Sequence, residues 1–333
     1  MTRVARVVIS PDSFKGTACA ADAAAALATG WRSVRPADEL TLRPMADGGE
    51  GTLDALGGPN RTSVVSGPLG DPVEAAWRLA RGTAVIEMAR ANGLELIGGP
   101  ERNDPIAAAT HGVGELITAA VDAGAKRVIV AAGGSATTDG GLGALRAMHP
   151  LQRFRGIDLI VACDVRTRFI DAAEVFAPQK GATLAQVELL RRRLERLAQV
   201  YLDEHGVDVR DLEGSGAAGG LAGGLAAAGA RLIPGFELVA DEVDLYGKLE
   251  EADLAVTGEG FLDAQSFEGK VVGGVAHLAA SAGARVLAVA GEVFDGVGDR
   301  IRCVSLVDRF GRDRAMDETV ACIEEAVAAE LDR

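Results

Sequence analysis

Apolar and polar positions alternate along this chain in two rhythms, short β-branched runs and longer stretches at helical spacing. Residues 4–10 form an apolar, β-branched run that predicts a buried strand, residues 11–16 break it, and 18–32 read as an Ala-rich helix. Residues 39–44 predict a second strand, followed by the Gly-rich ADGGEGT and another helix start. The middle differs: 61–68, 73–79 and 83–88 predict three short strands joined by Gly/Pro turns such as GPLGDP. A helix at 111–123, strands at 127–131 and 159–163, and a long amphipathic helix at 184–204 follow. The Arg-rich face of that last helix is expected only to solvate it. Beyond residue 234 the first rhythm returns, with strands at 254–257, 286–290 and 304–307, a helix at 273–282, and a closing amphipathic helix at 313–331.

Strand–loop–helix repetition at both ends predicts α/β architecture. The ends resemble each other more than either resembles the middle. The expected fold is therefore a doubly wound, Rossmann-like domain from residues 1–60 plus 236–333, with an inserted α/β domain with a mixed sheet at 61–235. No low-complexity linker or solenoid period interrupts the chain.

Composition narrows the function classes. The 333 residues carry a net charge of −14 and include no basic cluster that would meet nucleic-acid phosphates. No stretch of about 18 uncharged apolar residues predicts a membrane span. The N-terminus lacks the apolar core of a signal peptide, so the expected setting is cytoplasmic. Cys19, Cys163, Cys303 and Cys322 are widely spaced, without zinc-type pairs, and read as buried or free thiols in a reducing compartment. Apolar helix faces leave room for a homodimer.

Five of the 34 Lys and Arg residues are Lys. In so Arg-biased a chain, the remaining Lys are candidates for work that suits a compact ammonium, such as contacting phosphate, against a bland reading as surface turns. Lys15, Lys180 and Lys270 each lie beside a Gly in a polar segment. Four Gly-rich or short loops with carboxylates, ADGGEGT, GGSATTDGG, ACDV and TGEGFLDAQS, mostly follow predicted strands. Ligands of open α/β sheets bind at those strand ends, and glycine lets backbone N–H groups approach phosphate. One such loop is usually just a tight turn, but four together with three Lys predict a phosphate-handling site. GxxxxGK[ST], HRD and DFG are absent, as are HExxH and GxSxG. GSGAAG matches the dinucleotide fingerprint, but the charged 207–213 before it makes a poor strand, and close backbone packing explains it as well.

Read in order, PDSFKGT, ADGGEGT, GPLGDPV, IEMA with GLELI, GGSATTDGG, ACDV, FAPQKGAT, GSGAAGGL and TGEG with DAQS and GK resemble the glycerate kinase family that lacks a P-loop, from residue 3 to about 310. The resemblance implies two α/β domains with an active-site cleft between them, ATP and Mg²⁺, glycerate as the small-molecule substrate and phosphoglycerate as product. The 2-OH and the 3-OH are both open as acceptor. The chain departs from the pattern in a shortened 141–175 region, in Arg166, Thr167, Arg168 and Phe169 after ACDV, in Ala177 for Gly, and in Phe261 for Arg.

Lys15 and Lys180 are the expected phosphate or substrate-carboxylate contacts. Asp47, Asp164 and Asp263 are candidates for Mg²⁺ or the general base, with Asp47 and Asp164 as the metal pair; which carboxylate takes the proton stays open. Gly133, Gly134 and Ser135 fit a phosphate-cradling turn, with Thr137 and Asp139 beside it. Thr137 could equally cap a helix. Gly48, Gly49 and Glu50 belong to the second Gly-rich loop and Glu259 to the last, with Glu50 and Glu259 as secondary candidates for Mg²⁺ or the base. Asp12 and Ser13 follow the first strand as site or scaffold, and Lys270 is either a phosphate contact or a salt-bridge partner of Asp263 or Glu268. Two function classes follow: a kinase, or a divergent paralogue that binds a hydroxy acid or nucleotide with little turnover, favoured by Phe261 and the trimmed 141–175 region.

Overall fold

In the computed structural model, residues 4–14, 16–267, 269–294, 296–297 and 300–332 are described. Eleven strands are formed by them: β1 (Arg6–Ile9), β2 (Glu39–Leu42), β3 (Arg61–Ser66), β4 (Pro72–Ala80), β5 (Thr83–Glu87), β6 (Arg127–Ala131), β7 (Asp158–Cys163), β8 (Arg231–Pro234), β9 (Leu254–Leu262), β10 (Arg285–Val293) and β11 (Cys303–Ser305). They build two sheets, in the order β11-β10-β9-β1-β2 and β3-β4-β5-β6-β7-β8. The chain divides into two compact units: residues 1–47, 54–56 and 236–333, and residues 48–53 and 57–235.

In the first unit every strand pair is parallel, so the strand sequences are apolar on both faces rather than alternating. β1 shows this directly. Val7 and Ile9 enter one core with Leu27, Trp31, Ile323 and Val327, whereas Val8 enters another with Val239, Leu249, Val271 and Val275. The Ala-rich helix Ala20–Val34 uses its small residues to bring a neighbouring helix close. A Cβ at Gly30 would run into the Glu324 carbonyl of helix Thr319–Leu331. β9 and β10 run several residues past their expected ends, to Leu262 and Val293, because each pairs with the other along that length.

Two expectations need correction here. The strand at 304–307 ends at Ser305, whose side chain accepts from Asp308 N–H and caps helix Leu306–Phe310. The closing helix is also two helices, Arg312–Asp317 and Thr319–Leu331. The break is at Glu318, whose φ of −123° and ψ of 37° are not helical, and the buried Thr319 hydroxyl after it donates to the Ala315 carbonyl at 2.7 Å.

In the second unit, β3, β4 and β5 are antiparallel neighbours, and β5 to β8 are parallel. One core spans the unit, with Trp77, Ile86, Met88, Leu116, Val130, Val161, Phe169 and Tyr201 inside it. The long helix Leu184–His205 begins in a capping box between Thr183 and Gln186 and stops at Gly206, at φ 72°. No strand leads directly into GSGAAG, since residues 206–213 form none, and the segment is built for packing. Ala218, Gly219 and Gly220 turn left-handed, and Gly219 accepts from Gly140 N–H at 3.0 Å with no room for a Cβ beside the Thr137 carbonyl. No helix of the described residues is long and apolar enough to cross a membrane.

Candidate functional site

The loops after β5, β6 and β7 and the segment 48–53 belong to the second unit, and their short-range chemistry can be built residue by residue. Glu87 ends the apolar strand β5 and is buried. Its Oε1 accepts the N–H groups of Gly51 at 2.9 Å and Leu53 at 2.8 Å, and its Oε2 accepts from Arg90 Nε at 2.7 Å. One buried carboxylate thereby fixes the ADGGEGT loop behind Glu50. A buried charge in an apolar strand requires such donors, and that was the signal available in the sequence for a residue the motif reading passed over.

The loop after β6 lies against this segment. A Cβ at Gly133 would sit 2.7 Å from Gly49 Cα, and one at Gly134, at φ 65°, would strike the Glu50 carboxylate. Gly48 is equally confined, with its missing Cβ 2.6 Å from Gly235 Cα. Leu94 N–H donates to the Gly134 carbonyl at 2.9 Å, and Gly93 bridges Ser135, so the GLELI turn holds the far side of the loop. Asn92 and Asn103, also missed as site residues, complete the frame. Buried Asn92 carries the N–H of Ala136 and of Val113, while Asn103 Nδ2 donates to the carbonyls of Ala136 and Lys180 at 2.9 Å each.

Lys180 enters this frame from the FAPQKGAT segment. Its side chain is almost fully buried, and Nζ donates to Ser135 Oγ at 2.7 Å and to the Thr137 carbonyl at 2.6 Å. Burial pulls its pKa down to about 7, opposed by the charge of Asp139. Glu50, Gly133, Gly134, Ser135 and Lys180 line one pocket of about 330 Å³, together with Glu95 and Gln179. A lysine and a glycine turn at one pocket suit an anionic oxygen, because both acceptors of the ammonium are neutral and leave its charge uncancelled.

The other candidates of this unit lie nearby in different roles. Thr137 contributes its carbonyl and caps no helix; the next one, Leu142–Ala147, starts after Gly141. Asp139 accepts the N–H groups of Thr110, Gly141 and Gly143 and the Thr110 hydroxyl, so its carboxylate holds a loop. Asp164 stands exposed one residue past β7, where its charge raises the pKa of the Cys163 thiol, which burial pushes up to about 11.

In the first unit, Asp12, Ser13, Asp47, Glu259, Asp263 and Lys270 lie on β9 or in segments that follow strands, and Lys15 is outside the described residues. Asp12 N–H donates to the Gly258 carbonyl at 2.8 Å, and Asp12 Oδ1 accepts from Ser13 N–H at 2.6 Å. Glu259 is buried within β9. Asp263 Oδ1 accepts from Ser266 N–H at 3.1 Å, which caps the short turn Ala264–Phe267. Lys270 makes no salt bridge with Asp263 among the described residues; Glu268, its other expected partner, is not among them. Phe261 is half exposed beside Phe294, with ring centroids 6.4 Å apart.

Among the described residues no three His, Cys, Asp or Glu converge as a metal cage. Carboxylate oxygens such as those of Asp47 and Asp164 are hard donors that suit Mg²⁺, which commonly takes one or two protein oxygens and completes its shell with phosphate and water.

Comparison with known proteins places this geometry in a family. The family model described as "Glycerate kinase family" matches residues 7–151 and 148–329. A glycerate kinase of Halalkalibacterium halodurans is 39% identical, over 96% of this chain and 96% of its own. The glycerate 2-kinase of Escherichia coli is 38% identical over 88% of this chain and 87% of its own. A crystal structure assigned as glycerate kinase 2 from Salmonella typhimurium superposes with a TM-score of 0.84 at 35% identity, covering 99% of both chains.

Proposed function

The chain belongs to the glycerate kinase family, and on that premise we propose that it transfers the γ-phosphoryl group of ATP to the 2-hydroxyl of D-glycerate. The observation that carries the reading is the buried ammonium of Lys180, held by Ser135 and Thr137 at the edge of a pocket lined by Gly133 and Gly134. Phosphoryl transfer needs positioned positive charge and backbone donors more than covalent chemistry from the protein. The 2-hydroxyl follows the relative named as a glycerate 2-kinase.

In this proposal Lys180 and Lys15 contact phosphate or the glycerate carboxylate. Gly48, Gly49, Gly133, Gly134 and Ser135 shape the cradle, with Glu50 at its rim. Asp47 and Asp164 are the proposed carboxylate donors for Mg²⁺, which would supply neutralisation of charge on the transferring group. Asp12, Ser13, Glu259 and Lys270 are proposed as substrate or phosphate contacts, and Asp263 as a candidate for the general base. The two units act as a Rossmann-like and an inserted domain, and the setting is cytoplasmic.

The test is ADP release measured over small hydroxy acids, with the product identified by phosphorus NMR. D-glycerate-stimulated ADP release with 2-phosphoglycerate as product is expected. No release with any acid, together with no nucleotide binding, would sink the reading. The paralogue reading has one observation in its favour, Phe261 at the position where the family resemblance expects Arg. A gain of activity in Phe261→Arg would favour it.

A further inference from the structure

The segment 135–139 gives Ser135 to the pocket described above and Thr138 and Asp139 to another, of about 510 Å³, within the same unit. Its walls are apolar, with Ile106, Leu142, Leu190, Leu194 and Leu197 among them. Its polar lining is cationic: Arg146, Arg193 and Arg196, with His111. Asp139 is the one carboxylate in the lining, and it is already occupied by Thr110, Gly141 and Gly143.

Ion pairing on helix Leu184–His205 separates its arginines. Arg191 and Arg192 are paired with Glu188, and Arg191 also with Glu195. Arg193 and Arg196, which line the pocket, make no ion pair among the described residues, and neither does Arg146; Arg193 donates only to the Ile106 carbonyl at 3.0 Å. In a protein of net charge −14 with acids to spare, three such arginines over an apolar floor are an arrangement that solvation alone does not require. A second observation is independent of them. Thr138 is 2% exposed, lines the same pocket, and its Oγ1 has no hydrogen-bond partner. A buried hydroxyl without a partner is costly unless a bound group or an ordered water supplies one.

We infer that this pocket binds a small amphipathic organic anion, with an aliphatic or aryl body on the Leu190, Leu194 and Leu197 floor and a carboxylate or phosphate head on Arg146, Arg193 and Arg196. The inference does not rest on the kinase reading, since binding is read without turnover.

The test is isothermal titration of the full chain with hexanoate, hexyl phosphate, hexanol and inorganic phosphate, repeated on two double variants. One variant, Arg193→Ala with Arg196→Ala, removes exposed cations of the pocket. The other, Arg191→Ala with Arg192→Ala, removes paired cations outside it. Hexanoate or hexyl phosphate is expected to bind at least about tenfold more tightly than hexanol and than inorganic phosphate. The pair of organic anions identifies which head the arginines prefer. The first variant should weaken binding by about tenfold or more, and the second should leave it unchanged. Thermal melting checks that both variants fold. No binding below about 10 mM, equal binding of hexanol, equal binding of inorganic phosphate, or the same loss in both variants would each overturn the inference.

Discussion

The Lys180 ammonium donates to the Thr137 carbonyl at 2.6 Å inside a nearly dry frame. A main-chain oxygen is a neutral acceptor, so this contact orients the ammonium without cancelling its charge. Burial disfavours that charge and brings the pKa to about 7, against 10.5 for an ordinary lysine. Between those values the unfolded chain keeps a proton that the folded chain has released, so this group makes stability rise with pH across that window. Unfolding free energies of the wild type and Lys180→Met, compared at several pH values, should diverge in favour of the wild type as pH rises from about 7 to about 10. A pH-independent difference would contradict the shift.

The same residue carries the proposed chemistry. Lys180→Met is expected to lower kcat/KM for glycerate phosphorylation by roughly a hundredfold, about 2.7 kcal/mol of transition-state stabilisation. Steady-state kinetics decides this, and a change of less than about threefold would remove Lys180 from the site.

Glu87 stabilises a loop it does not belong to. Glu87→Ala strands the N–H groups of Gly51 and Leu53 and should cost about 2–3 kcal/mol in urea unfolding. Glu87→Gln keeps an oxygen for both donors and should cost less. The KM for the hydroxy acid is expected to rise in both, because Glu50 is positioned by that loop.

Asp139 accepts from three backbone N–H groups and a hydroxyl. Asp139→Asn turns an amide donor toward at least one of those donors, and about 2 kcal/mol or more of stability should be lost. If Asp139 were instead a group that acts only on substrate, the variant would unfold at the wild-type denaturant concentration.

Gly134 combines a left-handed backbone with contact to Glu50. Gly134→Ala should lose about 1–2 kcal/mol of stability and a larger share of activity, since relief comes from moving Glu50 or the cradle. Full activity in this variant would show that the turn does not hold phosphate.

Much of this was legible before any coordinates. Parallel strands are buried on both faces, so runs such as RVVI and RVIVA mark themselves. The glycines of GGSATTDGG and ADGGEGT are visible as punctuation, and their order carries the family resemblance. Lys180 is visible because few lysines remain in an Arg-biased chain. Roles within the loops were less legible. Thr137 offers its carbonyl and Asp139 holds a turn, and composition does not distinguish a side chain aimed at a ligand from one aimed at its own backbone. GSGAAG, a possible fingerprint by spacing, is a left-handed packing turn that receives Gly140.

The sequence by itself determined where the strands and glycine turns fall, because local sterics and hydrophobic periodicity act over a few residues. Only the tertiary structure decided which polar groups meet. Glu87 finds Gly51 and Leu53 more than thirty positions away, and Lys180 finds Ser135 across 45. Those pairings join a strand end and loops that are distant in sequence, and burial then pulls down the pKa of the lysine they enclose.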